Sequence, residues 1–503
     1  MSAAEERRSP VPAPSRAPQW RASQGSQAEI GEHSPVIRPG HAAALALAAL
    51  LPATLAATTY HVGPTATYPE LTDVAPLVGP GDLVLVDGGE TYNPVVFSND
   101  GAAGNPIVVR GLRVGGVRPV LFGGTNTIEI QSDHFVLESF EITGGSFRCV
   151  YHHSDDVVMR DLYVHDCPAH GLLGADEDSG SLTLEYSEFA RAGNGGSQHM
   201  IYMTTDQNAH PGSVFRMRHC WLHETTGGNA VKSRAERNEI DFNWIEGAQY
   251  HLLELIGPDE GAVTPPPGIR EDSDVVGNVL VHKAYDPIGP PGPFDGNFYF
   301  VRVGSDMRCD DGGTNSSRGR YRFVNNTFVR RDGGTGSHVF RPFGFLQSIE
   351  MSNNVFWSAP AGALAMVRSD AGERCWTDGE QISGQKNWVE TGTSALPALW
   401  TGTVTGTSPL FVDAPNFDYR PTAGSPLLEQ GTATSSSPPG FPFPNPLALP
   451  THEPPQQSVL PGSPAPARIV RGTIDIGAYE FPGSIFVDGW EIQSSSRWSA
   501  VAP

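Results

Sequence analysis

From residue 127 to about residue 361, apolar positions recur in one short pattern. An apolar residue is followed by a turn residue three positions on and another apolar residue two after that. The windows read Leu137-Phe140-Ile142, Met159-Leu162-Val164, Leu184-Ser187-Phe189, Met217-Cys220-Leu222, Ile240-Asn243-Ile245, Val275-Asn278-Leu280, Phe323-Asn326-Phe328 and Met351-Asn354-Phe356. A minimum spacing near 22 residues with variable excess, as between Leu137 and Met159 and then Met217 and Ile240, predicts stacked coils that carry insertions. In four windows the turn residue is Asn, which tolerates the left-handed conformation and can hydrogen-bond the turns of adjacent coils.

A second short strand precedes the later windows. QHMIYMTT, GNAVKSRA and YHLLELIG centre on Ile201, Val231 and Leu253, which predicts an inward row. The next residue of each must face out, giving a column of Tyr151, Gly174, Tyr202, Lys232, Glu254, Arg302, Arg341 and Arg368, with Arg234 one step along the same face. The missing side chain at Gly174 would leave room for a sugar ring. Insertions at 175–180, 206–212, 257–268, 305–317 and 369–379 mostly leave the same corner, so they should stack as an acidic wall beside a basic and aromatic floor.

The flanks differ. In 59–124, Leu71, Val74 and Val78 share a helical face, and short strands follow, which fits a helical N-terminal cap and first coils. The β-helical repeat is placed at 125–410, a Pro-rich closing segment at 411–481 and a short tail at 482–503. TIDIGAYEF (Thr473–Phe481) carries strand character. Residues 1–35 are polar and read as disordered. Arg38, the apolar run Ala42–Leu51 and Thr54-Leu55-Ala56 read as a signal peptide over 36–56, with translation beginning at Val36.

Composition narrows the function. Of 503 residues only 17% are charged, while Gly (57) and Pro (44) are abundant, as in a turn-rich all-β protein. A net charge of -22 argues against nucleic acid as a partner. No run is long enough for an integral membrane segment, and a monomer is expected. Five cysteines leave at least one unpaired; Cys309 and Cys375, both in polar loops, are the first choice for a bridge in an exported chain, with unpaired thiols the alternative. The acidic wall (Asp176, Glu177, Asp178, Asp206, Asp259, Glu260) offers oxygens of the kind calcium takes, with no diagnostic spacing; solvated loop acids are the plainer reading.

GPGDLVLVDGGETYNPVVF and NPIVVRG near the start, and SPLFVDAPNFDYRPTAGSPLLEQG with DIGAYEF near the end, resemble the framing segments of secreted right-handed parallel β-helix proteins of the pectate-lyase-like type. The resemblance covers about Thr59 to Phe481 and implies a right-handed parallel β-helix solenoid. HMIY followed by NAVKSRA is similar to a polysaccharide-degrading group within it, which implies His199, Tyr202, Lys232 and Arg234 as catalytic candidates. In that group a His often stands where this chain has Asn229. The tail FVDGWE resembles a short C-terminal tail of other exported bacterial proteins, so a secreted or surface location in a bacterium is expected.

The column suits three classes of function. A lyase or C5-epimerase on uronic-acid polysaccharide needs a cation on the carboxylate, a base at the α proton and, for the lyase, an acid at the leaving oxygen. Arg234 or Arg302, Lys232 or His199, and Tyr202 would supply them. Glu254, Arg302, Arg341, Arg368 and His251 are the candidates for substrate binding. A glycoside hydrolase needs two facing carboxyl groups, of which the column offers Glu254. The third class is a non-catalytic glycan-binding surface protein. Against all three stands an ordinary cross-strand ladder with a solvated arginine stripe.

Overall fold

A computed structural model describes residues 57–257, 271–283, 299–306, 317–331, 338–359, 362–368, 376, 378–459 and 465–482. The segments expected to be a disordered start, a signal peptide and a tail lie outside these, as do Cys309 and Cys375. The described strands form three long parallel sheets of 13, 12 and 10 strands, and each strand pairs with the one three strands later through most of the chain. That order is a right-handed parallel β-helix, the hand expected of parallel crossovers.

The repeat windows set the register. Leu137, Met159, Leu184, Met217, Ile240, Val275, Phe323 and Met351 pair in sequence across the 13-stranded sheet. Ile142, Val164, Phe189, Leu222, Ile245, Leu280, Phe328 and Phe356 do the same across the 12-stranded sheet. All are buried, and with Ile201, Val231 and Leu253 of the third sheet they form one continuous apolar core.

At the turn between these two sheets stands a ladder of amides. Asn243 accepts the Cys220 N–H at 2.9 Å, and Asn278, Asn326, Asn354 and Asn387 each accept the backbone N–H of the preceding member at 2.8–3.0 Å. Their side-chain NH2 groups donate to carbonyls and to the next amide. Buried turn groups that no strand could reach are thereby satisfied.

One open end is covered by a helical turn, Leu71–Val74, closed by a Glu70/Asp73 capping box and burying Leu71, Val74 and Val78. The closing segment differs from its expected form. TIDIGAYEF docks with Ile474, Ile476 and Tyr479 buried, but forms no strand. Its carbonyls at Asp475 and Gly477 accept from the Asn325 side chain, so side chains replace a ladder. The disulfide joins Cys149 to Cys167, and Cys220 is a buried free thiol. Among the described residues no helix is long and apolar enough to cross a membrane.

Candidate active site

The ten-stranded sheet carries the expected column. Strand Ile201–Thr204 pairs Tyr202 with Lys232, strand Val231–Arg234 pairs Lys232 with Glu254, and Glu254 then pairs with Arg302 and Arg302 with Arg341. One member is corrected. Leu173, not Gly174, pairs with Tyr202. In HGLLG either of two leucines could face in, and Leu172 takes that place against Ile201. Gly174 is buried, and a Cβ there would lie 2.6 Å from the Met203 sulfur, so it opens no room for a sugar.

Two more expectations change. Arg234 stands beside Tyr202 on the outward face, but its side chain is 1% exposed rather than open to solvent. It lies at the last residue of its strand and is covered there by Tyr202, Gly257 and Asp306. Its Nε donates to the Tyr202 hydroxyl at 2.9 Å, and its other nitrogens donate to the Gly257 carbonyl and to Asp306. Glu254 is likewise buried, at 4%. It accepts from Arg302 at 2.6 Å and from the Asn229 amide at 2.7 Å, with the Lys232 ammonium at 3.7 Å. Burial by itself would raise the Glu254 carboxyl, but Arg302 and then Lys232 outweigh it and hold the group well below the usual carboxylate range.

Asp306 completes the cluster. It lies 3.7 Å from Lys232 and 3.1 Å from Arg302, and burial, which would raise it, again loses to Lys232 and Arg302, so it too is lowered. The Lys232 ammonium thus sits between two carboxylates, 5.0 Å from the Tyr202 ring centre, with 12% of its side chain exposed. Asp306 belongs to one of the predicted wall loops, four residues past Arg302; that position was its only trace in the sequence. Asn229, whose amide orients Glu254, gives no sequence signal of that role.

The histidines form a frame beside the column. His170 Nδ1 accepts the His199 N–H, and His199 Nδ1 accepts the Asn229 N–H at 3.0 Å. Asn229 Oδ1 then accepts the N–H and ring Nδ1 of His251, both at 3.0 Å. Burial, then Lys232, pushes His199 well below its ordinary value, and burial takes His251 to about 3. Both imidazoles are buried and neutral, and the lone pair of His199 Nδ1 is already used.

Downstream, Arg302 packs 4.3 Å over the Phe343 ring. Arg341 lies 5.3 Å from the Tyr299 ring centre, and Arg368 donates to the Tyr299 hydroxyl. The acidic wall is brought together only in part. Asp206 accepts three backbone N–H groups of the wall loops, from Asp178, Asn208 and Ala209, while Asp259 and Glu260 lie outside the described residues. Among the described residues no three His, Cys, Asp or Glu side chains gather as a metal site.

No protein-family profile matches the chain, and no curated protein matches it in sequence. Solved structures do. Pectate lyase Pel9A is 13% identical, with 84% of this chain and 96% of that one covered and a TM-score of 0.49. The PL6 family polysaccharide lyase Pedsa3628 from Pseudopedobacter saltans is 11% identical over 71% and 96%, with a TM-score of 0.45. A rhamnogalacturonan lyase is 13% identical over 66% and 87%, with a TM-score of 0.41. The chain is a right-handed parallel β-helix. That assignment rests on the strand pairing; at these identities the likeness carries no chemistry. The β-helix explains the site's construction: insertions enter at sheet corners without disturbing the rungs, so Asp306 reaches the column from a loop while Tyr202, Lys232 and Glu254 stand on consecutive rungs.

Proposed function

We propose that this β-helix acts on uronic-acid polysaccharide as a lyase or C5-epimerase, with Lys232 and Tyr202 exchanging the protons. The observation that carries the reading is the row itself. Unlike groups occupy successive rungs of one sheet, and Arg302, Arg341 and Arg368 extend it as a cationic track. Removing the proton α to a uronate carboxylate builds negative charge on that carboxylate, which guanidinium groups stabilise. Lys232 in its neutral form is the base. Tyr202 is the acid at the leaving oxygen, and the Arg234 guanidinium that donates to its hydroxyl would stabilise the phenolate that results. His199 and His251 serve as positioning groups through Asn229.

The hydrolase alternative gains a second carboxyl group, Asp306, but needs one carboxyl to keep its proton. Both Glu254 and Asp306 are lowered, so neither does at neutral pH. The Cys149–Cys167 bridge supports export, because disulfides persist in oxidising compartments. A panel of uronate polysaccharides tests the proposal, followed by ultraviolet absorbance of the unsaturated product for a lyase and by inversion at C5 for an epimerase. Reducing ends without that absorbance would favour hydrolysis, and binding without turnover a glycan-binding protein.

A further inference from the structure

The row changes character along its length. Upstream of Lys232 the outward positions in register are Val96, Glu129, Tyr151, Leu173 and Tyr202. Val96 is 48% exposed and Phe147, which precedes the strand Arg148–His152, is 37% exposed; Tyr151 and Leu173 are half-buried. The Arg148 guanidinium lies over the Phe147 and Tyr151 rings at 4.3 and 3.8 Å, packing them into one platform. The wall beside this end is the exposed loop of Asp176, Glu177 and Asp178. Burial first, opposed by Arg148, and then Glu129, Asp176 and Glu177 raise the Tyr151 phenol, so the acids of this end act directly on the platform. His170, between platform and site, is neutral, held at about 4 by burial and then by Arg148. Downstream the balance reverses: among the described residues Lys232, Arg234, Arg302, Arg341 and Arg368 stand against Glu254 and Asp306.

A polymer laid along the row would meet both halves, because neighbouring rungs are only ~4.8 Å apart. An uncharged pyranose face packs well on an aromatic and apolar platform. A uronate there would face Glu129 and the three acids of the loop against the single cation Arg148, and a net like charge across a binding surface selects against that partner. We propose that the platform end binds neutral sugar residues and the arginine end binds uronates, so the substrate is a mixed polysaccharide in which the two adjoin. The proposal rests on the functional reading of the site given above and narrows its substrate.

Calorimetric titration of the full chain tests it, with a homopolyuronate and with a polymer alternating uronate and neutral sugar, each also assayed for unsaturated product. The expected result is roughly tenfold tighter binding of the alternating polymer. Tyr151→Ala should lose most of that difference, weakening the alternating polymer far more than the homopolyuronate. The double variant Asp176→Asn, Glu177→Gln lies on an exposed loop and serves if Tyr151→Ala fails to fold; it should raise homopolyuronate affinity severalfold. Equal or tighter binding of the homopolyuronate by the wild type overturns the proposal, as does a homopolyuronate affinity indifferent to the acidic loop. Preference for the alternating polymer without unsaturated product would keep this division and remove the lyase reading. Turnover of the homopolyuronate with no preference would do the reverse, and binding of neither polymer overturns both.

Discussion

Two ladders of polar side chains run along this solenoid, and they are built on opposite principles. The amide ladder repeats one residue, Asn243, Asn278, Asn326, Asn354 and Asn387, and each member makes the same bonds as the last. The column places four unlike groups, Tyr202, Lys232, Glu254 and Arg302, on successive rungs before Arg341 repeats the last, and they are held by partners off the column: Asn229, Arg234 and Asp306. A turn between coils poses the same hydrogen-bonding problem on every rung, so one residue solves it each time. Chemistry needs different groups side by side, so a functional row breaks the repeat. In a solenoid, identity along a row marks structure and variety marks a site.

Breaking the repeating ladder should have the largest effect on stability. Asn326→Leu orphans the Asn278 N–H and the Val275 carbonyl in the core. It should cost on the order of 3 kcal/mol or more in denaturant unfolding. A cost near zero would mean the ladder is incidental to the turn.

Glu254→Gln sharpens the contrast, because it removes one charge from a row whose members differ. Arg302 keeps Asp306 and backbone carbonyls, and Lys232 keeps Asp306. The loss should therefore be about 1–3 kcal/mol at neutral pH, less than for a pair broken outright. A lowered carboxyl adds stability that is present above its unfolded value and lost as pH falls through the folded one. The gap between wild type and variant should accordingly narrow as the solution is acidified below the ordinary carboxylate range. Glu254 lies 3.7 Å from the Lys232 ammonium, so the pH dependence of any activity should change in the variant; an unchanged profile would uncouple Glu254 from the base.

Glu271, buried behind Arg234, carries the opposite sign. Burial raises its carboxyl well above the usual range despite Arg234. Below the ordinary carboxylate pKa both folded and unfolded states hold the proton. Above it the unfolded chain releases the proton first, so stability falls as pH rises. Glu271→Gln should be neutral in acid and stabilising by about 1 kcal/mol at neutral pH, as thermal melting across pH will reveal. The smallest effect belongs to a third ladder, on the surface of the 13-stranded sheet, where Arg110 and Arg160 flank Glu138. Their side chains are about half exposed. Arg160→Ala should change stability by ~0.5 kcal/mol or less.

The same contrast explains what the sequence disclosed. Rows that repeat were readable to the residue, because Leu137 through Met351 and the Asn turns keep one pattern across every insertion. The column was readable where a single aliphatic fixes the inward position, as at Ile201, Val231 and Leu253. It slipped by one at Leu172-Leu173, where two leucines compete. Burial of Arg234 and Glu254, and the arrival of Asp306, were not readable, since they follow from contacts with partners distant in sequence: Asp306 on Arg234, and Asn229 and Arg302 on Glu254. The Cys149–Cys167 bridge was unreadable for a related reason: both cysteines lie in strands, where no polar loop marks a pairing site.

The central claim is that the non-repeating row is a catalytic centre with Lys232 at its middle. Turnover of a uronate polysaccharide by folded wild type and folded Lys232→Ala tests it most directly, with polymer affinity and melting temperature measured on both. The account predicts a fall in kcat of ~100-fold or more, with affinity changed far less and melting nearly unchanged, since Glu254 keeps Arg302 and Asn229. A folded Lys232→Ala protein with full activity would contradict it and leave the row a structural ladder like the other two.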